Sequence, residues 1–233
     1  MSNDKNHSRK NGFIGQIYLL AYNFLQIIGW SYILYKLVNY YIGNKDNNQT
    51  LWETVRFAVN IFQNAAILEI LNSITGLVKS NPVITTFQVL SRVVVVCGVI
   101  QATPSNYAAA SLGLPLALLA WSITEIIRYS YYFTSLVGFI PYFLTWLRYT
   151  TFIILYPIGV TGELLCCYDA TKYAISNPNA WSYTLPNAWN FTFSYHYTLL
   201  FLILLYFPIF PYLYLHMISL RHKTLGTTNK KKI

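Results

Sequence analysis

The residues best suited to chemistry are a tyrosine and a glutamate seven positions apart in one apolar stretch. The run Tyr156-Pro157-Ile158-Gly159 is followed by Glu163, which has no arginine three or four positions away. Residues seven apart share one face of a helix, so both side chains can face the same cavity. A carboxylate left unpaired in apolar surroundings can act as an acid or a base near neutral pH. The pair therefore predicts acid–base chemistry, and Tyr149, a further seven residues back, is expected on the same face.

The composition assigns the chain to the integral membrane proteins. Of its 233 residues, 55% are hydrophobic and only 10% are charged, whereas a soluble domain carries about 25% charged residues. So few charges cannot cover the surface of a compact soluble domain. The same composition excludes a disordered chain, a coiled coil and a collagen. Most of the formal net charge of +9 lies in the two tails. Its position indicates membrane topology, and it argues against a nucleic-acid partner.

Ionisable residues also recur at helical spacing in other apolar stretches. Glu125, Arg128 and Tyr129 lie at positions i, i+3 and i+4, so Glu125 can reach either neighbour. Charges inside a bilayer are costly unless they are paired or face a wet cavity, so stripes on different helices are expected to face each other. The stripes comprise Glu53, Arg56, Asn60 and Asn64, then Gln88 and Arg92, then Glu125, Arg128, Tyr129 and Tyr132, with Glu69 on a separate face.

Two interpretations of the polar residues stay open at this point. They either hold helices together, each pair contributing around 1 kcal/mol, or they line a polar cavity. Four glutamates and four arginines inside apolar stretches exceed what packing needs, which favours the cavity. Likewise, Tyr156 is either catalytic or an aromatic residue at the membrane interface. Glu163 is either catalytic or a capped or snorkelling residue near a helix end.

Six apolar segments are each long enough to cross the bilayer as a helix, which needs about 20 residues. They are Phe13–Leu37, Leu51–Val78, Val83–Ala102, Leu112–Phe133, Ile140–Leu165 and Tyr197–Ile218. We therefore expect an all-α bundle of six transmembrane helices in one domain, residues 13–220. Basic tails flank it at residues 1–12 and 221–233, and an even number of spans with basic termini predicts that both termini are cytosolic. Residues 1–12 lack the pattern of a cleaved signal peptide, so the first span is expected to stay in the mature protein.

Three short features bear on location and processing. The final residues Lys230-Lys231-Lys232-Ile233 fit the dilysine pattern that returns membrane proteins to the endoplasmic reticulum, or they are simply a basic tail beside the membrane. Asn48-Gln49-Thr50 and Asn190-Phe191-Thr192 are glycosylation sequons in expected luminal loops. The three cysteines and four histidines are scattered, without a CxxC pair or a histidine cluster. This scatter argues against a metal site and against histidine-box lipid enzymes.

The chain resembles a known family in several stretches. They are Leu68-Glu69-Ile70-Leu71-Asn72, Gly76-Leu77-Val78, Gln88 with Ser91-Arg92, Trp121 through Glu125 to Arg128-Tyr129-Ser130-Tyr131-Tyr132, Leu147-Arg148-Tyr149, and Leu155-Tyr156-Pro157-Ile158-Gly159-Val160 closing on Glu163. Together they identify a resemblance, over roughly residues 14–220, to the 3-hydroxyacyl-CoA dehydratases of very-long-chain fatty acid elongation. This family is also called the protein tyrosine phosphatase-like membrane proteins. Where some relatives carry a His-Cys pair, this chain has Asn72-Ser73, so phosphatase chemistry through a thiolate is excluded.

The resemblance implies a six-helix membrane bundle in the endoplasmic reticulum that removes water from a (3R)-3-hydroxyacyl-CoA to give a trans-2-enoyl-CoA. It implies that Tyr156 and Glu163 are the catalytic pair, with no metal and no cofactor. Glu163 suits the base and Tyr156 the acid, although the reverse assignment also stays open. The candidates for supporting the pair or binding the substrate are Arg92, Glu125, Arg128, Tyr129, Arg148 and Tyr149. The expected partners are the acyl-CoA substrate, the lipid bilayer and the other fatty acid elongation enzymes.

The geometry of the expected fifth helix poses a difficulty for this chemistry. Seven residues span about 10.5 Å on a straight helix, so Pro157 and Gly159 are expected to distort the helix and bring the pair together. The thioester must then reach down a polar channel, and the acyl tail must lie in an apolar tunnel or extend into lipid. Two other functions remain, a non-catalytic scaffold of the elongation complex and a small-molecule transporter, although the internal repeat usual in transporters is not visible.

Overall fold

The computed structural model describes residues 12–43, 49–78 and 80–230, with only the backbone at residues 227–230. The N-terminal tail up to residue 11, the sequon asparagine Asn48 and the final residues 231–233 of the dilysine pattern lie outside this range.

The expected all-α class is confirmed for the described residues. They form eight α-helices: α1 Phe13–Ile42, α2 Leu51–Ala65, α3 Ile67–Ile74, α4 Pro82–Val93, α5 Gly113–Val137, α6 Tyr142–Arg148, α7 Phe152–Ser176 and α8 Tyr195–Lys230. A π-helical segment, Val94–Ile100, continues α4, and a 3-10 turn at Ala108–Ala110 precedes α5. Local sequence explains several helix starts. Thr50 and Glu53 form a capping box at α2, and Asn81 accepts a hydrogen bond from the Val83 amide at α4.

Two of the expected segments are divided. The second breaks at Ala66 into α2 and α3, and the fifth breaks at residues 149–151 into α6 and α7. Tyr149 therefore lies outside α7, so the expectation that it shares a helix face with Tyr156 and Glu163 is wrong. The expectation of an interior stripe beginning at Glu53 and Arg56 is also wrong, because both side chains are exposed and Glu53 is used in the helix cap.

Five helical stretches in the described part of the chain are long and apolar enough to cross a membrane. They are Phe13–Ile42, Leu51–Ile74, Pro82–Ile100, Tyr142–Ser176 and Tyr195–Gly226. The protein is therefore a multi-pass membrane protein by the length and composition of its helices. The expected fourth span, Leu112–Phe133, corresponds to α5, which is not among the five. Although α5 has 25 residues, Glu125, Arg128 and its tyrosines lower its mean hydropathy.

The helices pack so that α5 lies between α1 and α7. At the crossing of α5 and α7, a Cβ added to Gly162 would lie 2.5 Å from the Ala117 nitrogen and 2.6 Å from the Gly113 oxygen. Such small residues let membrane helices approach closely. Ala117, Cys166 and Cys167 beside this crossing are fully buried. The interior position of α5 explains why its polar side chains face other helices.

The bundle has two ends, each marked by a contact between distant residues. At one end, called the Trp181 end, the Trp181 indole donates a hydrogen bond of 2.6 Å to the Ala102 carbonyl. This end holds residues 101–112 and 177–194. At the other, called the Gly138 end, Gln16 donates to the Leu136 carbonyl at 3.3 Å.

Helix α7 continues without interruption through Pro157 and Gly159, although the sequence predicts a distortion there. Pro157 lacks the amide that would bond to the Ile153 carbonyl four residues earlier. The Tyr214 hydroxyl of α8 donates to that carbonyl at 3.4 Å. The interruption lies upstream instead, at residues 149–151.

Candidate active site

Glu163 lies at the centre of the bundle, where two side chains from neighbouring helices hold its carboxylate. The Trp121 indole of α5 donates to Oε1 at 2.7 Å, and the Tyr206 hydroxyl of α8 donates to Oε2 at 2.6 Å. Only 6% of the Glu163 surface is exposed. Because each oxygen has its own donor on a different helix, the carboxylate is fixed in position and orientation.

Tyr156 lies two turns earlier on α7, where its ring is held by aromatic stacking. It stacks on Phe210 with 5.3 Å between ring centroids and on Tyr214 with 6.2 Å. Within the described residues, its hydroxyl makes no hydrogen bond, although it is close enough to interact with the charges of Glu163 and Arg92. A fixed ring with an uncommitted hydroxyl can donate a hydrogen bond to a bound molecule.

Tyr156 and Glu163 line a common cavity of about 380 Å³ between α4, α5, α7 and α8. Its walls differ in polarity. The polar lining includes Gln88, Arg92, Glu125, Arg128, Tyr132 and Arg148. Apart from Tyr206, the α8 side is apolar, with Leu202, Leu205, Ile209, Phe210, Leu213 and Met217. The cavity can therefore accept a molecule that has both a polar and an apolar part.

The polar wall is built by an ion-pair network that joins three helices. Arg92 of α4 pairs with Glu125 Oε1, and Glu125 Oε2 lies 2.6 Å from Arg128. Arg128 also pairs with Glu69 of α3 at 2.7 Å, and the Tyr129 hydroxyl donates to Glu69. The expected contact between Glu125 and Arg128 is thus confirmed, and the stripes that carry Arg92 and Glu125 meet as expected. Two acids face two bases, so the network carries little net charge into the interior.

Arg148 has a different environment, made of aromatic rings. Its guanidinium lies 4.3 Å from the Tyr131 ring centroid and 4.5 Å from that of Tyr132, and it donates to the Tyr132 hydroxyl at 3.1 Å. Among the described residues, its Nη1 is buried without a hydrogen-bond partner, and Arg148 forms no ion pair with a carboxylate. A guanidinium in this state can bind an anionic group of a ligand.

Most of the candidate residues meet at this cavity, but two do not. Arg92, Glu125, Arg128, Arg148, Tyr156 and Glu163 line it. Tyr129 lies instead on a second cavity of about 250 Å³, beyond the ion-pair network. Tyr149 lines neither of these two cavities and packs against Tyr131 and Arg148. Its expected place beside Tyr156 and Glu163 is lost because the helix breaks between them.

Sequence reasoning missed the two donors to Glu163. In the sequence, Trp121 stands out only as part of the family resemblance, and no pattern distinguishes Tyr206. Each is more than 40 residues from Glu163 in the chain, so no helical spacing relates them. In the described ranges, no three His, Cys, Asp or Glu side chains are grouped so that they could hold a metal ion.

The fold and the cavity define a class, the helical multi-pass membrane proteins with a charged site inside the bundle. More specifically, the chain belongs to the protein tyrosine phosphatase-like protein family, PTPLA, whose model matches residues 63–227. The family resemblance noted in the sequence is thus confirmed.

Curated relatives match almost the whole chain. The very-long-chain (3R)-3-hydroxyacyl-CoA dehydratase hpo-8 of Caenorhabditis elegans is 46% identical over 93% of this chain and 98% of its own length. The human very-long-chain (3R)-3-hydroxyacyl-CoA dehydratase 2 is 40% identical over 92% of this chain and 83% of its own. The rice dehydratase PASTICCINO 2A is 32% identical over 91% and 95%. No solved structure was found to match the chain.

Proposed function

We propose that this protein is a very-long-chain (3R)-3-hydroxyacyl-CoA dehydratase, a hydro-lyase that forms a trans-2-enoyl-CoA in fatty acid elongation. Two relatives with that name align with this chain over 98% and 83% of their own length. The observation that carries the proposal is the arrangement of Glu163 and Tyr156 in one cavity. The first is a carboxylate fixed by two donors, and the second is a phenol whose hydroxyl is free for a substrate.

In the proposed reaction, Glu163 takes the proton from C2 of the substrate, and the C–H electron pair becomes the new C2–C3 double bond. The bond between C3 and its hydroxyl oxygen breaks, and Tyr156 supplies the proton that completes the departing water. Transfer of the proton from Glu163 to Tyr156 then restores both groups. Arg92, whose guanidinium carbon lies 5.9 Å from the centre of the Trp121 ring, is proposed to stabilise the negative charge that develops on the thioester oxygen.

The spacing of the pair is compatible with a substrate between them. Side chains on a helix lean toward its N-terminus, so the Tyr156 and Glu163 side chains lean in the same direction and keep an offset of about two turns along α7. The two groups then approach C2 and C3 from different levels of the cavity without a break in α7. No direct hydrogen bond between them is needed, since the substrate lies between them.

For the CoA end of the substrate we propose the cavity region near Arg148 and Arg128. Arg148 is the better candidate for a phosphate, because Arg128 already pairs with Glu69 and Glu125. A planar guanidinium suits bidentate contact with phosphate oxygens. Arg92, Glu125 and Tyr129 are proposed to support this wall, and Tyr149 supports Arg148 through its ring.

We propose six membrane spans with both termini cytosolic, in the endoplasmic reticulum. α5 is the sixth span, since it lies between two spanning candidates, α1 and the α6–α7 stretch, and its charged residues face the interior. The Gly138 end then faces the cytosol, where CoA is found. The transmembrane domain spans residues 13–220 between basic tails over residues 1–12 and 221–233, and the other elongation enzymes are the proposed protein partners.

The test is dehydration by the purified protein in detergent, with a long-chain (3R)-3-hydroxyacyl-CoA beside its (3S) isomer. We expect loss of water from the (3R) isomer alone, detected by the mass and absorbance of the trans-2-enoyl thioester. If folded protein turned over neither isomer at any chain length, the enzyme proposal would fail in favour of a scaffold or a transporter.

A further inference from the structure

The cavity that holds Tyr156 and Glu163 is too small for a whole long-chain acyl-CoA. Its volume is about 380 Å³, near the low end of the roughly 300–1,000 Å³ that suits a drug-sized ligand. A CoA thioester with a very long acyl chain is much larger than such a ligand. Under the proposed function, part of the substrate must therefore lie outside the cavity.

Among the described residues, close packing blocks the acyl chain from passing Glu163 toward the Trp181 end. There α5 and α7 approach so closely at Gly113 and Gly162 that a single Cβ would collide with backbone. Cys166 and Cys167, just beyond Glu163 on α7, have no exposed surface. The Tyr195 hydroxyl of α8 also donates to the Gly98 carbonyl at 2.7 Å, which joins α8 to the π-helical segment.

The Gly138 end does not suit an apolar chain either. Phe152, Leu213 and Met217 also line the cavity there, but they share the lining with Gln88, Arg128, Tyr132 and Arg148. The polar groups of these last four residues would lose hydration to a hydrocarbon without gaining a hydrogen bond. The same groups suit the polar part of the substrate. The acyl chain and the CoA group must therefore leave the reacting site in different directions.

The remaining direction for the acyl chain is a lateral opening between α4 and α8, which the packing of these two helices supports. α8 packs chiefly against α7, whereas α4 packs against α3 and α2, so the two helices face each other across the cavity. Leu90 of α4 and Val94, the first residue of the π-helical segment that continues α4, line the cavity, yet 44% and 41% of their surfaces are exposed. Leu202 and Leu205 line the α8 side. Arg92, between Leu90 and Val94, lies beside Trp121, the partner of Glu163, so the opening is level with the reacting groups.

We infer that the acyl chain of the substrate passes sideways between α4 and α8 and extends into the hydrocarbon of the bilayer. The inference rests on the proposed function. Only the first carbons of the chain lie in the cavity, and the remainder stays in lipid throughout turnover. The bundle thus places no wall at the end of the chain, which explains how a small cavity accepts a very long substrate.

The first test narrows the opening. Val94→Trp is expected to lower kcat/KM for a very long (3R)-3-hydroxyacyl-CoA about tenfold more than kcat/KM for a short one, because the indole obstructs the passage of the long chain. About tenfold lies within the range of discrimination that apolar pockets show between chains of different size. Val83→Trp is the matched control, because Val83 lies on the same helix, is 62% exposed and is not among the lining residues. Val94→Phe replaces Val94→Trp if the larger side chain prevents folding. An equal loss for both chain lengths would overturn the inference.

A second test follows the chain itself, independently of turnover. A 3-hydroxyacyl-CoA with a photoreactive group at the end of a long acyl chain is bound to the wild type in a lipid nanodisc and irradiated. We expect cross-links to phospholipid, whereas cross-links confined to residues lining the cavity would show an enclosed chain and contradict the inference. Failure of the wild type to dehydrate any substrate would defeat the proposed function, and this cross-link would still report the route of the bound chain.

Discussion

At the residue scale, the proposed chemistry depends on how the Glu163 carboxylate is held. The sequence predicted Tyr156 and Glu163 as a pair because helical spacing relates them. It could not predict that Trp121 and Tyr206 bind the two carboxylate oxygens, because those contacts join different helices. Helical spacing also predicted, wrongly, that Tyr149 lies on the same face as Tyr156. The break at residues 149–151 separates Tyr149 from α7, so the spacing does not apply.

The two donors to Glu163 should matter for the rate more than for substrate binding. Each of Tyr206→Phe and Trp121→Phe removes one hydrogen bond to the carboxylate. We expect kcat to fall about tenfold, since a hydrogen bond to a charged group contributes about 1.5 kcal/mol or more and 1.36 kcal/mol corresponds to tenfold in rate. KM should change little. Tyr212→Phe, on the exposed face of the same helix, should behave as wild type. Unchanged kcat in both Glu163-donor variants would show that they do not position the carboxylate.

At the scale of the helices, hydropathy predicted the apolar segments but not their short interruptions. A window of some twenty residues averages over a break at Ala66 or at residues 149–151, and it underestimates α5 because that helix carries the charged network. The close approach of α5 and α7 could not be predicted from the sequence either, because Gly113 and Gly162 lie 49 positions apart and meet only in the folded bundle.

That close approach makes a stability prediction. Gly162→Ala places a Cβ 2.5 Å from the Ala117 nitrogen, so the helices must separate, at a cost of about 1–3 kcal/mol in the free energy of unfolding. Gly98→Ala is the control, because its Cβ would meet nothing closer than 3.8 Å. Unfolding in detergent, followed by circular dichroism against denaturant, measures both. Equal stability of the two variants would contradict the packing described at this crossing.

At the scale of the whole molecule, composition and charge placed the chain among multi-pass membrane proteins, and its motifs placed it in its family. The number of spans is harder to predict from hydropathy, because a helix buried among other helices need not be apolar on every face. Hydropathy alone therefore gives five spans, whereas the position of α5 between α1 and α7 gives six.

Labelling from the two sides of microsomes distinguishes five spans from six. The exposed Cys97 is first removed by Cys97→Ser, which leaves only the buried Cys166 and Cys167 among the native cysteines. In this background, Ser105→Cys places a thiol in the connection before α5, and Phe139→Cys places one in the connection after it. If α5 crosses the membrane, a membrane-impermeant maleimide added outside labels Phe139→Cys at once and Ser105→Cys only after permeabilisation. Labelling of both thiols from the same side would exclude the sixth span.

The most direct test of the central claim compares four variants on α7 in one dehydration assay. Tyr156→Phe and Glu163→Gln alter the proposed pair. Tyr168→Phe and Asp169→Asn make the same chemical changes a few residues along the helix, where Asp169 pairs with Lys172 away from the cavity. We expect the first two to lose at least about a hundredfold in kcat, as general acid–base groups contribute, with folding intact, and the last two to retain activity. Turnover that survives in folded Tyr156→Phe and Glu163→Gln would contradict the account and direct attention to the network of Glu125 and Arg128.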